Sequence, residues 1–303
     1  MNVPSPSANS APDLSAGQEA SEDDSQWTRV IRPDRGLFQV PFGEIWRYRD
    51  LIWMLSVRTI STTYKQTVLG PFWFVLQPLM VTAVFSFLFG RMARFQSDGI
   101  PHYLFYMGGL VPWNFFSETV TKNANVFVEN AQIFSKVYFP RFAVPLSVML
   151  SNCIPTLVQF GLFLVGLIVY LVKGDQWTHP NWLILLTPLL FIQLAALALG
   201  LGCIVSALSR RFRDLTYGVR IGLQLLMFGS AIVFPISRIA PEGRWLFFLN
   251  PVVPPIEYFR KAFVGRSLVE PWHLAVSALI SVTLLLIGLV LFHRADRNAM
   301  DTV

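Results

Sequence analysis

The chain has 303 residues, 53% of them hydrophobic and 14% charged, with a mean hydropathy of +0.50 and a formal charge of +6. Soluble domains carry roughly 45–50% apolar and about 25% charged residues, so this composition excludes an ordinary soluble protein and indicates a polytopic membrane protein. The basic residues are spread through short connections rather than gathered into one patch, which argues against nucleic acid and for lipid headgroups.

Residues 1–28 open with MNVPSPSANSAPDLSAGQEASEDDS, rich in Ser, Ala, Pro and acid, and are expected to form a disordered acidic cytoplasmic tail. No positive stretch followed by an apolar run occurs there, so the tail is not a secretory signal, and residues 29–303 are expected to form one transmembrane domain. From about Glu44 to Thr63, Tyr48, Leu51, Ile52 and Leu55 follow i, i+3, i+4, i+7 spacing, with Arg47, Arg49, Asp50 and Arg58 off the stripe. This pattern predicts an in-plane helix on the cytoplasmic leaflet, with Trp53 suited to the interface. It serves either as an anchor on anionic lipid or as a reader of a phosphorylated headgroup, since Arg presents donors matched to phosphate oxygens.

The first span follows a Gly70-Pro71 step and runs to Gly90 without a charge, about 20 residues for a hydrocarbon core of roughly 30 Å. Further spans are predicted at about Gly99–Ser117, Phe142–Val172, Trp182–Leu208, Leu215–Ile236 and Leu274–Phe292, which makes six. Gly108-Gly109 and Pro112 interrupt the second span, and Arg220 lies inside the fifth. With the N-terminus inside, 15 of the 24 Lys and Arg fall on the cytoplasmic side and 8 outside, the RRFR run at 210–213 being the strongest inner cluster.

Between spans two and three, Glu118–Arg141 is the longest inner connection, with an apolar pattern in Val126, Phe127, Ile133, Phe134 and Val137. It reads either as a helical extension of span two or as a surface for a partner protein. Between spans five and six, Ser237–Trp272 is apolar but broken at Asn250-Pro251 and Pro254-Pro255. It fits two short re-entrant helices on the outer face, or else an interfacial loop.

Catalytic motifs are lacking: there is no GxxxxGK[ST], HExxH or GxSxG, and no pair of carboxylates in a plausible site. The four histidines are isolated, and Arg220 is the one full charge well inside a span, which weakens ion-coupled transport. Aromatics are abundant instead, with Phe72, Trp73, Phe74, Phe85, Phe87 and Phe89 in the first span alone. They either face lipid or offer apolar platforms to sugar rings along a pathway. Cys153 and Cys203 stand alone in apolar stretches and read as packing residues, so no metal site or disulfide is expected.

Read together, YRDLIWMLSVRTISTTYKQTVLGPFWFVLQPLMVTAVFSFLFGR, YLFYMGGLVPWNFFSETV, IFSKVYFPR and LNPVVPPIEYFRKAFVG resemble the transmembrane subunit of an ABC-2 type polysaccharide exporter. The resemblance is nearest the O-antigen and lipopolysaccharide branch, covers roughly Pro41 to Arg297, and omits only the acidic tail. It implies an all-α membrane protein with six transmembrane helices, an N-terminal amphipathic interface helix, and re-entrant outer helices between helices five and six. It further implies a homodimer in the bacterial inner membrane, both termini cytoplasmic, paired with a nucleotide-binding ATPase subunit that holds ATP and Mg. This chain would then bind no cofactor itself, and its substrate would be a lipid-linked glycan.

On that resemblance, Arg47, Arg49, Arg58 and Lys65 would meet the substrate headgroup and the first-span aromatics would line the pathway. Phe134, Ser135, Lys136, Tyr138, Phe139 and Arg141 would couple to the ATPase, and Asn250, Pro251, Glu257, Tyr258 and Arg260 would form the outer gate. An ABC-2 drug or lipid exporter would share the fold. A membrane glycosyltransferase or polymerase should carry acidic or histidine residues in a sizeable loop, and none is found.

Overall fold

The structure is a computed structural model that describes residues 46–65, 68–93, 97–130, 139–174, 179–212, 214–265 and 267–297. The acidic tail expected at 1–28 lies outside these residues. Among the described residues the regular structure is helical throughout.

Helix α1 spans Arg49–Tyr64. Its expected apolar stripe is its packed face: Ile52 and Leu55 are buried against Phe142, Ala143, Val144 and Val148, with Tyr48 and Leu51 flanking them. The Ser56 hydroxyl lies within 2.7 Å of the Ile52 carbonyl and 3.0 Å of the Ser147 carbonyl, tying α1 to the start of α5. Protein thus takes up the stripe, leaving Trp53 and Met54 exposed on the other side.

The first long apolar helix is built in three parts. Gly70 adopts φ +50° and, with Pro71 in the first turn, starts a 3-10 segment (Gly70–Phe72); α2 (Trp73–Phe85) follows, and Ser86–Met92 is π-helical. Pro71 suits that first turn because its missing N–H would have no intrahelical acceptor there. Next come α3 (His102–Ala124), the short α4 (Val126–Glu129) and α5 (Ala143–Val172). A 3-10 lead-in (Trp182–Leu186) opens α6 (Thr187–Ser209). The remainder comprises α7 (Leu215–Phe228), α8 (Arg244–Leu249), α9 (Val253–Val264) and α10 (Pro271–Arg297).

Among the described residues four stretches are long and apolar enough to cross a bilayer: Gly70–Met92, Ala143–Val172, Trp182–Ser209 and Pro271–Ala295. The other two expected spans differ from their predicted bounds. Helix α3 runs past Ser117 to Ala124, and its second half carries Asn114, Glu118 and Lys122, which dilute its apolar character. Helix α7 stops at Phe228 instead of Ile236, giving 14 residues, or about 21 Å at about 1.5 Å per residue. Beyond its end Gly229 and Ser230 follow, Ala231 takes φ 54°, and the Asn250 amide, 21 positions further on, donates to the Gly229 carbonyl at 3.1 Å.

Helix α3 is the hub, with every residue from Leu104 to Trp113 buried against α5, α6 and α9. Small residues let the backbones approach. A Cβ on Gly288 would press on the Gly200 carbonyl, and one on Gly200 would come within 2.6 Å of the Leu284 backbone, so α6 and α10 meet through glycine. Close backbone approach of this kind substitutes for the weak hydrophobic drive between helices in lipid. Polar seams accompany it. Asn114 donates to Gln159 at 3.0 Å, Lys122 to Asn152 at 2.6 Å, and Gln193 to Ser277 at 2.7 Å, each pairing two helices.

Candidate functional site

The four basic residues expected at the headgroup are all exposed, but they form two groups rather than one cluster. Arg47 and Arg49 lie at the start of α1, where Arg49 pairs with Asp50 at 3.7 Å and covers the Trp46 ring at 5.8 Å. Arg58 and Lys65 lie toward its far end, with the hydroxyls of Thr59, Thr62 and Thr63 bonded back into the helix around them. Arg49 and Arg58 are nine positions apart, about 13 Å along the axis.

The six first-span aromatics divide by environment. Phe72, Trp73 and Phe87 are exposed, and Gln77, Met80 and Val84 are exposed between them. Phe74 is buried, while Phe85 and Phe89 pack on Tyr106 of α3 at ring-centroid distances of 5.9 and 6.5 Å. The first three are therefore the most open, and Phe85 and Phe89 are half-buried.

Of the residues expected to couple to the ATPase, Phe134, Ser135, Lys136 and Tyr138 lie outside the described residues. Phe139 is buried and Arg141 half-buried. Phe139 joins Phe142 in the cluster that also holds Ile52 and Leu55 of α1, so the end of this connection is packed on the interface helix.

The residues expected at the outer gate fall into two separate polar arrangements, one around Asn250 and Pro251 ahead of α9 and one around Glu257 and Arg260 within it. Asn250 ends α8 and starts α9: its amide donates to the Gly229 carbonyl and lies 3.1 Å from the Ser230 hydroxyl, while its Oδ1 accepts the Val252 N–H at 3.1 Å. The Pro251 carbonyl accepts from Ser277 of α10 at 2.5 Å. Helix α9 is buried at every position from Val253 to Arg260, and Tyr258 is buried with them. Its phenylalanines 259 and 263 pack among Phe160, Phe163 and Phe191. A loop resting on the surface does not describe α9, whereas α8 exposes Trp245, Leu246 and Leu249.

The end of α9 is closed from outside. Gly265 at φ +87° donates to the Lys261 carbonyl at 2.9 Å, a left-handed cap that favours glycine. Asn181 supplies two more donors, its backbone N–H to the Ala262 carbonyl at 3.0 Å and its amide to the Lys261 carbonyl at 2.8 Å. Carbonyls that a helix end leaves unpaired are thereby satisfied by the approach to α6.

Inside α9, Arg260 is only 2% exposed and pairs with Glu257 at 2.5 Å. Its Nε donates to the Phe105 carbonyl at 3.2 Å and its guanidinium covers the Phe105 ring at 4.1 Å. The Ser267 hydroxyl donates to the other Glu257 oxygen at 3.0 Å. Burial, the largest influence, pushes the Glu257 carboxyl upward; Arg260 and the Ser267 hydrogen bond pull it back, and Asp98 adds a smaller upward push. Arg260 fits because Gly108 and Gly109 lie beneath it: a Cβ on Gly109 would collide with Nη2. The glycine pair that looks in sequence like an interrupted span is the bed of a buried guanidinium.

A cavity of about 550 Å³ opens beside this pair, lined by Asp98, Phe105, Ser237, Glu257, Arg260 and Ser267 among others. Asp98, at φ 54°, accepts from Ser237 at 2.6 Å. Two carboxylates thus share one site, which corrects the sequence-based expectation that none do. Asp98, Ser237 and Ser267 carry no motif; the accessible signal was Glu257 and Arg260 at i, i+3 inside an apolar segment.

Comparison with known proteins places these features in a family context. The model of the ABC-2 type transporter family matches residues 50–264. An O-antigen export system permease protein RfbA of Klebsiella pneumoniae is 29% identical over 247 residues, 81% of this chain and 92% of the relative. A protein of the same name from Myxococcus xanthus is 30% identical over 244 residues, covering 80% and 91%. The polysialic acid transport protein KpsM of Escherichia coli is 26% identical over 250 residues, covering 82% and 94%.

Proposed function

This chain belongs to the ABC-2 type transporter family, and on that premise we propose that it is the membrane permease subunit of an ATP-driven exporter of lipid-linked polysaccharide. The observation that carries this reading is the near full-length similarity to permeases named for O-antigen and polysialic acid export. The chain is a multi-pass membrane protein, and family membership implies an ATPase partner subunit. ATP and Mg are held there, and this chain binds neither.

In the proposed arrangement α3 and α7 join the four long apolar stretches to make six spans. The protein sits in the bacterial inner membrane with both termini in the cytosol, and α8 and α9 form the re-entrant outer gate. Two copies enclose the pathway. Arg220 supports this: it is exposed on α7, has no partner among the described residues, and shares that exposure with Tyr217 and Gln224. A charge at membrane depth belongs against water or protein rather than lipid, so this face turns to a second copy across a wet path. Phe72, Trp73 and Phe87 provide apolar surface for sugar rings along it.

Mechanistically, the glycan's pyrophosphate end is presented near Arg47, Arg49, Arg58 and Lys65. Closure of the ATPase pushes on Glu118–Arg141, and the Phe139–Phe142 packing passes the displacement to α1. The test is ATPase activity of the reconstituted complex. A polyprenyl-diphosphate-linked glycan should stimulate it several-fold and amphiphilic drugs should not; the reverse result would assign the chain to drug or lipid export. Charge reversal at Arg47, Arg49 and Arg58 together should abolish most glycan export in vesicles, and unchanged export would remove the headgroup role.

A further inference from the structure

We propose that the groove between α8 and the first turns of α10 binds an anionic phospholipid of the surrounding bilayer, its phosphodiester on Arg244 and His273 and its glycerol and acyl end on the adjoining apolar wall. The inference goes beyond the export reading and takes from it only the leaflet, which is the outer one.

The groove has a volume of about 420 Å³, within the roughly 300–1,000 Å³ of small-molecule sites. Arg244, Trp245 and Leu249 of α8 and Trp272, His273 and Val276 of α10 line it. Its level in the bilayer follows from α10. The stretch Pro271–Ala295 is long and apolar enough to cross, and Trp272 and His273 stand in its first turn. Phe292, near the other end of α10, packs in one cluster with Ile52 and Leu55 of α1, so the groove lies at the membrane surface remote from α1. Trp245 and Trp272 are both exposed there, as suits aromatic rings at the boundary of lipid and water.

The polar groups of the lining donate. Arg244 is held in place by two carbonyls, its Nε donating to Ile239 at 2.9 Å and its Nη2 to Ser237 at 3.1 Å. Its Nη1 has no acceptor among the described residues and is not sealed from solvent. The His273 ring is fixed between neighbours, with Phe248 at 4.1 Å and Trp272 at 3.8 Å between centroids. Its Nδ1 accepts the Glu270 N–H at 3.2 Å, which places the ring proton on Nε2 as a second unspent donor.

Charge then selects the occupant. Among the described residues no carboxylate lines the groove or pairs with Arg244, and Glu270 receives the Trp272 indole N–H at 3.0 Å. A guanidinium without an acid beside it favours a phosphate, and a choline headgroup would bring a second cation to it. Inorganic phosphate would meet the donors alone, whereas a phospholipid meets the donors and the exposed wall of Trp245, Leu249 and Val276 together. A lipid seated there would tie α8 to α10.

Native mass spectrometry of the full chain with its ATPase partner in detergent tests the site, with dioleoyl phosphatidylglycerol and dioleoyl phosphatidylcholine as probes. Phosphatidylglycerol should be retained saturably and about three-fold more tightly than phosphatidylcholine, and millimolar inorganic phosphate should not displace it. Arg244→Gln should weaken its retention roughly five-fold or more. Val276→Trp fills the groove without removing a donor and should weaken it as well, in a complex that assembles normally. Retention that neither variant weakens, equal affinity for the two lipids, or displacement by phosphate would overturn the site. The measurement contains no glycan, so its failure leaves the glycan-stimulated ATPase test of the export reading untouched.

Discussion

At the scale of single residues, the Glu257–Arg260 pair determines what substitution will do. A buried ion pair is weak evidence of stability in itself, but removing one partner strands the other charge at a cost of about 3–5 kcal/mol. Arg260→Met should therefore lower the melting temperature more than the double variant Glu257→Gln/Arg260→Met, measured by tryptophan fluorescence in nanodiscs. Equal losses would mean that packing on Phe105, not charge, is what Arg260 contributes. Gly109 belongs to the same unit. Its replacement by alanine pushes against Nη2 from below, and the loss should shrink when Arg260 is already Met.

At the scale of elements, two helix faces differ in what they ask of their surroundings. The α6–α10 seam is complete: Gly288→Ala sets a methyl group against the Gly200 carbonyl and should cost about 1–3 kcal/mol, visible as reduced folded yield on size exclusion. The α7 face is open. Gln224→Cys, in a background with Cys153 and Cys203 replaced by Ala, should react with a membrane-impermeant thiosulfonate, because Arg220 requires water or protein beside it. Ile154→Cys on α5 is exposed among apolar neighbours and should resist the reagent. Equal labelling at both sites would remove α7 from the pathway.

For the whole molecule, the proposed homodimer predicts two permease copies and two ATPase copies per particle, which light scattering on the purified complex will weigh. The apolar stretches were legible in sequence because length and hydropathy are properties of contiguous residues. So was the face of α1, since Tyr48, Leu51, Ile52 and Leu55 declare it by periodicity. The break between α8 and α9 was legible as a position, through Asn250-Pro251 and the paired prolines, but the packing around it was not. Asp98 and Glu257 are 159 positions apart and meet only after α3 and α9 have packed, so no window of sequence holds both. The early stop of α7 was hidden for the same reason: the amide that braces it comes from Asn250, beyond two 3-10 segments and α8.

The bed that Gly108 and Gly109 make for Arg260 has a consequence for descent. Two positions with no chemistry in common are bound to a single history, because a side chain at 109 and a guanidinium at 260 compete for the same space. Lineages that keep the arginine should keep the glycine, and lineages that lost the arginine should be free to fill position 109. The order of loss should be fixed as well, arginine first, since the opposite order passes through an ancestor in which position 109 crowds Arg260.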